Sequence, residues 1–277
     1  VENRALAGWG GGLKASQVTI TNSQIVSNTA VGRGGGMWAN VAYIFNSEIN
    51  NNEVTGEGTV FGGGISVPGR LDIWDSTVSG NRLVGDESIG GGIDAEGARA
   101  TIVNTIVSNN SAQIRGGATV YGAVITVTNS LFISNTSDGI GGAYVTGTIV
   151  NVTSADNADG GVNVDGPVSI TNSIMWGNGG RDCTCDEGEG CSLTYSDVED
   201  EDITGLGNIY ADPLFVDPAN GDYRLQIGSP CIDKGTPIGA PTHDIEGTPR
   251  DTAPDMGAHE WTGFRIFLPL TLRNVGP

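Results

Sequence analysis

The chain has 277 residues, of which 45 are glycine, and its formal net charge is −19, from 32 acidic and 13 basic residues. Nucleic acid and anionic lipid both require Lys/Arg patches, so this charge argues against either as a partner. No apolar run approaches the ~18 residues of a membrane-spanning helix. Charged residues are few, at 16%, while Asn, Ser and Thr are abundant. This composition is typical of a β-protein that is extracellular or on the cell surface. The chain opens in polar sequence, so we expect that a signal peptide and leading coils were removed, or that this is a fragment of a longer chain.

Glycine groups recur along the first two thirds of the chain. They begin at Gly10, Gly34, Gly62, Gly90, Gly116, Gly141 and Gly160. The intervals between successive starts run from 19 to 28 residues, which is too short for one unit to bury its own apolar face. Stacking each turn on the next solves this by making a continuous core. Leucine-rich repeats have a similar length, but their paired leucines and their helix-forming stretches are missing here.

Two further series of polar residues recur once in each repeat, as the glycine groups do. The first places an amide or an acid at Asn22, Asn46, Asp75, Asn104, Asn129, Asn151 and Asn172. The second places an asparagine six residues later, at Asn28, Asn52, Asn81, Asn110, Asn135, Asn157 and Asn178. Aliphatic residues alternate between the glycines and the amides, as in a strand with one buried face. The sequence therefore predicts an all-β, single-stranded, right-handed parallel β-helix over residues 1–180. We expect the second series to form a ladder of side-chain amides between turns.

Residues 181–260 are predicted to hold a cysteine-bearing insertion, a last coil and a module that caps the end of the solenoid. The four cysteines are Cys183, Cys185, Cys191 and Cys231. An even and clustered count favours disulfides in an oxidising compartment. Pairing of residues 183 and 185 is disfavoured by geometry, which leaves 183–191 with 185–231, or 185–191 with 183–231. The acidic residues of the same insertion are Asp182, Asp186, Glu187 and Glu189. They are candidate Ca²⁺ ligands, although their spacing fits no known ligand loop and a solvated acidic loop is the favoured interpretation. No other cofactor is expected.

The blocks that follow have a recognisable order. They are Asp212–Pro218 (DPLFVDP), Gly221–Gln226 (GDYRLQ), Ser229–Gly235 (SPCIDKG), Asp244–Arg250 (DIEGTPR) and Asp255–Glu260 (DMGAHE). This series resembles the closing module of bacterial right-handed β-helix surface proteins of the choice-of-anchor type, and the resemblance covers residues 168–260. It implies a secreted or surface-attached β-helix and says little about activity.

The last segment, residues 261–277, is predicted to be a separate apolar strand or tail. Its apolar residues alternate strictly, at Phe264, Ile266, Leu268, Leu270 and Leu272. Such a strand either folds back on its own helix or docks on a neighbouring subunit by edge addition.

No catalytic constellation emerges from the sequence. Asp72 and Asp94 fall in neighbouring coils without a third acidic partner, and Arg70 falls in a strand without a matching acid. The two histidines lie in the capping module, which supports neither a Ser-His-Asp triad nor a histidine metal site. Four aromatic residues stand near the start of their repeats, either on one exterior face or stacked inside: Trp9, Trp38, Tyr121 and Tyr144.

Three functions are therefore weighed. The favoured one is a non-catalytic extracellular structural protein, such as a rod, adhesin or filament subunit, that self-associates or attaches to a cell surface. The alternatives are a polysaccharide lyase or hydrolase of the β-helix type and a carbohydrate-binding module, in which case the partner is a glycan.

Overall fold

The structure is a computed structural model that describes residues 8–97, 99–122, 124–143, 145–184, 191–200, 202 and 204–263. The predicted assembly strand (Phe264, Ile266, Leu268, Leu270 and Leu272), together with Cys185, Asp186, Glu187, Glu189 and Tyr144, lies outside these residues. No helix in the described part of the chain is long and apolar enough to cross a membrane.

Short strands follow one another throughout the described chain. Up to the middle of the chain they are β1 (Leu13–Thr21), β2 (Gln24–Val26), β3 (Thr29–Val31), β4 (Met37–Phe45), β5 (Glu48–Asn50), β6 (Glu53–Thr55), β7 (Thr59–Phe61), β8 (Ile65–Val67), β9 (Arg70–Trp74), β10 (Thr77–Ser79), β11 (Arg82–Val84), β12 (Glu87–Ile89), β13 (Ile93–Glu96), β14 (Arg99–Val103) and β15 (Ile106–Ser108). They continue as β16 (Ala118–Tyr121), β17 (Val124–Thr128), β18 (Leu131–Ile133), β19 (Ile140–Ala143), β20 (Thr146–Val150), β21 (Thr153–Ala155), β22 (Val162–Val164), β23 (Val168–Thr171), β24 (Ile174–Trp176), β25 (Cys183–Thr184), β26 (Ser192–Thr194), β27 (Asp197–Val198), β28 (Phe215–Asp217) and β29 (Asp222–Leu225), with a 3₁₀ turn at Pro218–Asn220 before β29.

These strands stack into parallel sheets that run along the molecule. A 14-stranded sheet and an 8-stranded sheet form two sides, and short sheets of three strands (β3, β6, β11) and two strands (β7, β12) close the first turns. Every pairing between described strands of the solenoid is parallel, and only β28 and β29 pair antiparallel. The predicted β-helix of about seven turns is confirmed.

The apolar series stack as predicted. Ile73, Ile102 and Val127 occupy consecutive registers of the long sheet, and all three are fully buried. On the 8-stranded sheet the buried column includes Val107, Phe132 and Ser154. The one polar member of this column donates its hydroxyl to the carbonyl of Gly161 at 2.8 Å, so its break in the apolar pattern leaves no unsatisfied group.

The second amide series forms the predicted ladder. Each asparagine from residue 28 to residue 157 donates its side-chain Nδ2 and its backbone N–H to Oδ1 of the next asparagine, at 2.9–3.1 Å. The glycine groups pack against this asparagine ladder. A Cβ on Gly36 would lie 2.7 Å from the carbonyl oxygen of Gly64 and 2.9 Å from Asn52 Nδ2, which explains why no larger residue stands there.

The first amide series has a different role. Its seven members all adopt left-handed backbone angles, with φ between 44° and 52°, and thereby turn the chain from one sheet to the next. Three of them also hold the C-terminal module. Asn129, Asn151 and Asn172 donate their side-chain amides to backbone carbonyls of residues 243, 255 and 236, at 2.5, 3.0 and 2.8 Å.

The C-terminal module lies along the flank of the solenoid, whereas the sequence placed it over the end. Tyr223, 2% exposed, packs with Leu131 and Ala155 of two successive turns, and its hydroxyl donates to Asp156 Oδ2 at 2.7 Å. The last coil, β26 and β27, is followed at the end of the rod by Ile209, which bridges to Asp197 in parallel. The apolar outer face of the 8-stranded sheet explains the lateral docking, because the module buries side chains there that water would otherwise contact.

Candidate functional site

The outer face of the 14-stranded sheet carries two columns of side chains in register. The outer column consists of Lys14, Trp38, Ser66, Asp94 and Thr119, each paired with the next on adjacent strands. The second column runs through Tyr43, Asp72, Thr101, Thr126 and Thr148. The two columns share the strand β4 and then separate, because β8 and β9 pair with different halves of it. Each column contains a single aspartate with a hydroxyl side chain on the strand to either side of it.

Both aspartates are unusually buried for outward-facing positions. Asp72 and Asp94 are each 1% exposed. The Oδ1 atom of each is buried without a hydrogen-bond partner, and the same holds for Trp38 Nε1 and Thr119 Oγ1. Unsatisfied buried polar atoms are rare in native proteins and mark strain or sites of function. Three of these four atoms belong to the outer column, which makes it the candidate site.

Asp94 is held by neighbours from two other turns. Ser66 Oγ donates to Asp94 Oδ2 at 3.0 Å, and Arg33 Nη1 lies 4.0 Å from the same oxygen. The same guanidinium nitrogen lies 3.0 Å from Glu96 Oε2. Burial raises the pKa of Asp94 to about 7, and the charge of Glu96 adds to the shift, while Ser66 and Arg33 oppose it. The carboxyl is thus poised to exchange a proton near neutral pH.

Arg33 crosses two turns to reach these carboxylates. Its backbone bridges to Phe61, which in turn pairs with Ile89 in the turn that contains Asp94. The guanidinium carbon lies 4.0 Å from the centre of the Phe61 ring, a cation–π distance. The aromatic ring therefore supports the side chain along its course.

Asp72 has a partner that the sequence did not reveal. Arg70 Nε donates to Asp72 Oδ2 at 2.6 Å, and its Nη2 contacts the same oxygen. The expectation that Arg70 lacks a matching acid is wrong, because residues two apart on a strand project from the same face. The guanidinium also lies 5.3 Å from the ring of Tyr43.

An aromatic and cationic cluster stands at the N-terminal end of the outer column. The rings of Trp9 and Trp38 lie 5.2 Å apart with a 42° tilt. Lys14 Nζ lies 5.3 Å from the first ring centre and 5.6 Å from the second. Trp9 is 44% exposed, and Tyr121, in register with Glu96 on the same sheet, is 47% exposed. The structure thus places these aromatic side chains on one exterior face and not in the interior.

The predicted disulfides that include Cys183 or Cys231 are not formed, because neither residue is disulfide-bonded. Cys183 lies in the solenoid core in register with Val162. Cys231 lies in the C-terminal module, where its thiol donates to Asp197 Oδ2 at 3.0 Å. Burial raises the pKa of both thiols. Composition suggested bridges, but the two side chains belong to different packing clusters. Cys191 is disulfide-bonded, while its predicted partner Cys185 lies outside the described residues.

The calcium candidates of the insertion can be placed only in part. Asp182 is 2% exposed. It accepts hydrogen bonds from Asn178 Nδ2 at 2.8 Å and from the backbone N–H of Glu199 at 2.6 Å. It thereby extends the asparagine ladder. Among the described residues, three side chains of metal-ligand type come within 4.8 Å of one another in the C-terminal module: Asp244, Glu246 and His259. Sequence reasoning missed it, because its members come from two separate blocks.

Comparison with known proteins supports the fold. The chain is similar to the crystal structure of the pectate lyase Pel9A, with a TM-score of 0.53 and 14% identity over 94% of this chain and 86% of that chain. At this identity the likeness shows the parallel β-helix fold alone. No family model matches the chain. No curated protein matches it either.

Proposed function

We propose that this protein binds a uronate-containing polysaccharide along the outer face of its 14-stranded sheet. The observation that carries the proposal is the pair formed by exposed Trp9 and half-buried Trp38, with Lys14 over both rings. Aromatic rings bury the apolar C–H faces of sugars, and an ammonium group pairs with a uronate carboxylate. The similarity to a protein named a pectate lyase supports the same class of ligand.

The continuation of the face suits an extended chain. From Trp38 the outer column continues through Ser66 and Asp94 to Thr119. Thr119 is three strands away from Trp38, or ~14 Å at the usual strand spacing. Exposed Tyr121 lies on the strand of Thr119. A polymer laid along this direction would contact an aromatic ring at each end, with the Asp94 carboxyl between them.

Affinity electrophoresis in gels containing polygalacturonate, methyl-esterified polygalacturonate or dextran tests this proposal. The wild type should be retarded most by polygalacturonate. Trp9→Ala should abolish the retardation, and Lys14→Met should weaken it only for the acidic polymer. Trp74→Ala is the matched control, because Trp74 stacks on Phe45 at 5.0 Å on the same sheet, without Lys14. No retardation of the wild type, or an equal loss in Trp74→Ala, would refute the proposal.

Cleavage of the bound chain is the second candidate function, and Asp94 is the observation that favours it. With a pKa of about 7, the Asp94 carboxyl is protonated in a substantial fraction of the molecules at neutral pH, as a general acid requires. Because Asp94 is 1% exposed, cleavage also requires neighbouring side chains to move aside when the polymer binds. Glu96, held by Arg33 at 3.0 Å, supplies a second carboxylate nearby. Incubation with polygalacturonate, with and without Ca²⁺, should release reducing or unsaturated ends that Asp94→Asn no longer releases. If the wild type releases none, the protein binds without cleaving.

Binding without cleavage agrees with the non-catalytic role that the sequence favours. We keep the extracellular or cell-surface location, the resemblance to choice-of-anchor proteins and self-association through residues 264–273 as parts of this proposal. Deleting residues 264–273 and measuring mass by light scattering tests self-association. An unchanged oligomeric state would rule out docking by this segment.

A further inference from the structure

The C-terminal module brings together three side chains of metal-ligand type. One ligand atom from each of Asp244, Glu246 and His259 lies within 4.8 Å of the other two. The first two belong to the DIEGTPR block, and the histidine lies fifteen residues after Asp244. Acidic clusters are common on protein surfaces, so proximity alone does not make a site.

His259 provides a second and independent observation. Its side chain lies in the packed part of the module, with the residue only 8% exposed. The ring atom Nδ1 is buried without a hydrogen-bond partner. A buried imidazole with an unsatisfied nitrogen beside two carboxylates is an arrangement that a bound cation would complete.

Asp244 is fixed in place before any ligand arrives. Its Oδ1 accepts backbone N–H groups of Glu246 at 2.9 Å and Thr248 at 2.7 Å, and its Oδ2 accepts that of Glu260 at 2.9 Å. A carboxylate offers about four lone-pair positions, so these three bonds leave one for a metal. Glu246 is exposed, and its side chain can therefore rotate toward the other two ligands.

The surrounding charges favour a dication. Arg224 is the cation that acts on His259, but it is engaged by Asp222, with Nε donating to Oδ1 at 2.8 Å and Nη2 donating to Oδ2 at 2.5 Å. Arg250 acts on Asp244, but it is ion-paired with Glu260 at 2.9 Å. The carboxylates of Asp244 and Glu246 therefore keep the site negatively charged. A cavity of about 270 Å³ lined by Glu246, His259 and Trp261 leaves room for water as a further ligand.

We propose that Asp244, Glu246 and His259 bind a divalent transition-metal ion such as Zn²⁺. One imidazole and two carboxylates suit Zn²⁺ or Co²⁺ better than Ca²⁺, which takes oxygen ligands alone. Two donors at ~2.1 Å from a tetrahedral ion lie ~3.4 Å apart. The three ligand atoms lie within 4.8 Å of one another here, so binding would draw them together by ~1 Å, and the exposed Glu246 has the freedom to move. The ion would tie residues 244–248 to residue 259 within the module that docks on the solenoid.

Titration calorimetry of the metal-stripped full chain with Zn²⁺ tests the proposal, with Ca²⁺ as the comparison. We expect one equivalent of Zn²⁺ to bind, Ca²⁺ to bind far more weakly, and Glu246→Gln to weaken Zn²⁺ binding by at least about tenfold. The control Glu57→Gln alters an exposed glutamate on a turn of the solenoid and should bind as the wild type does. Glu246→Gln changes an exposed side chain, so a folding defect is not expected, and circular dichroism checks this.

Co²⁺ absorption identifies the ligands. Binding at the proposed site gives visible d–d bands without the near-ultraviolet thiolate charge-transfer band that cysteine ligands would add. Equal affinity in Glu246→Gln and the wild type, a thiolate band, Ca²⁺ binding as tight as that of Zn²⁺, or no binding would each overturn the proposal.

Discussion

The asparagine ladder and the outer column of the 14-stranded sheet are both rows of stacked polar side chains, yet they differ in how well their atoms are satisfied. In the ladder, Asn110 is fully buried, accepts two hydrogen bonds and donates two from its side chain. In the outer column, Asp94 is equally buried, but its Oδ1 has no partner. Repetition explains the first row, because each turn supplies the partner of the next. A residue that occurs once in its column has no such partner, and such a solitary position is where function is expected.

Breaking the ladder should have the largest effect on stability. Asn110→Ala removes the acceptor of two Asn81 donors and leaves the carbonyl of Val78 without its Nδ2 donor. Unsatisfied buried groups cost ~1–3 kcal/mol each, so we expect a loss of ~3 kcal/mol or more in the free energy of unfolding, measured by urea denaturation. Gln24→Ala, which removes an exposed bond to Glu48, should stay within ~0.5 kcal/mol of the wild type. A comparably small loss for Asn110→Ala would mean that the ladder is not a major source of stability.

Replacing the buried carboxyl of Asp94 should raise the free energy of unfolding, and the size of the gain should depend on pH. Folding raises the pKa of Asp94 from 3.8 to about 7, so the folded state takes up a proton in this window. Stability conferred by this group is therefore highest below pH ~4 and falls as the pH rises through ~7. Asp94→Asn should make the protein more stable than the wild type at pH 8, by ~2 kcal/mol or more, and the difference should shrink toward pH 4.

The difference between variant and wild type must be measured, because other buried acids titrate in the same window. Burial raises the pKa of Asp197 and of Asp255 to about 7 as well. Asp86→Asn, at an exposed turn, provides the matched control and should show no such trend. A destabilised Asp94→Asn at pH 8 would show that the charged carboxylate is well compensated in the folded state.

The same contrast explains what the sequence could predict. The fold follows from series repeated in every turn, so the spacing of Ile73, Ile102 and Val127 was enough to place them in one column. The candidate site depends on residues that occur once and not in every turn. Arg33 contacts Glu96, which lies 63 residues further along the chain. No repeated pattern in the sequence predicts this contact. The pairing of Arg70 with Asp72 did have a local signal, their i, i+2 spacing on one strand face.

The C-terminal module was less predictable for a related reason. Its blocks do not repeat, so neither its lateral docking nor the approach of His259 to Asp244 could be derived from a period. The repeat positions of Asn129, Asn151 and Asn172 give no sign that their side chains bind this module. Cysteine count likewise could not show that Cys183 would face the solenoid core while Cys231 would lie against Asp197.

Removing the hydroxyl beneath the buried carboxyl should have an intermediate effect. Ser66 Oγ donates to Asp94 Oδ2 at 3.0 Å and lowers its pKa. Ser66→Ala should therefore raise the Asp94 pKa further and lower the free energy of unfolding at pH 8 by ~1–2 kcal/mol, as for a hydrogen bond to a charged group. Near pH 4, where the carboxyl is protonated, the loss should be smaller. In the Asp94→Asn background the pH dependence of the Ser66→Ala effect should vanish, and its persistence would assign that dependence to another group.

An exposed pair between neighbouring turns should matter least. Arg82 Nη1 lies 3.3 Å from Glu53 Oε2, with side chains 61% and 37% exposed, so solvent and salt screen their attraction. Arg82→Gln should lower the free energy of unfolding by less than ~0.5 kcal/mol, and the difference should disappear at high ionic strength. Urea denaturation at low and high NaCl measures this. If the loss approached that of Asn110→Ala, contacts between exposed side chains would rival the buried amide ladder in holding one turn to the next. In that case the hydrogen bonds of the asparagine ladder would no longer explain why the repeated rows stabilise the protein more than other contacts between turns do.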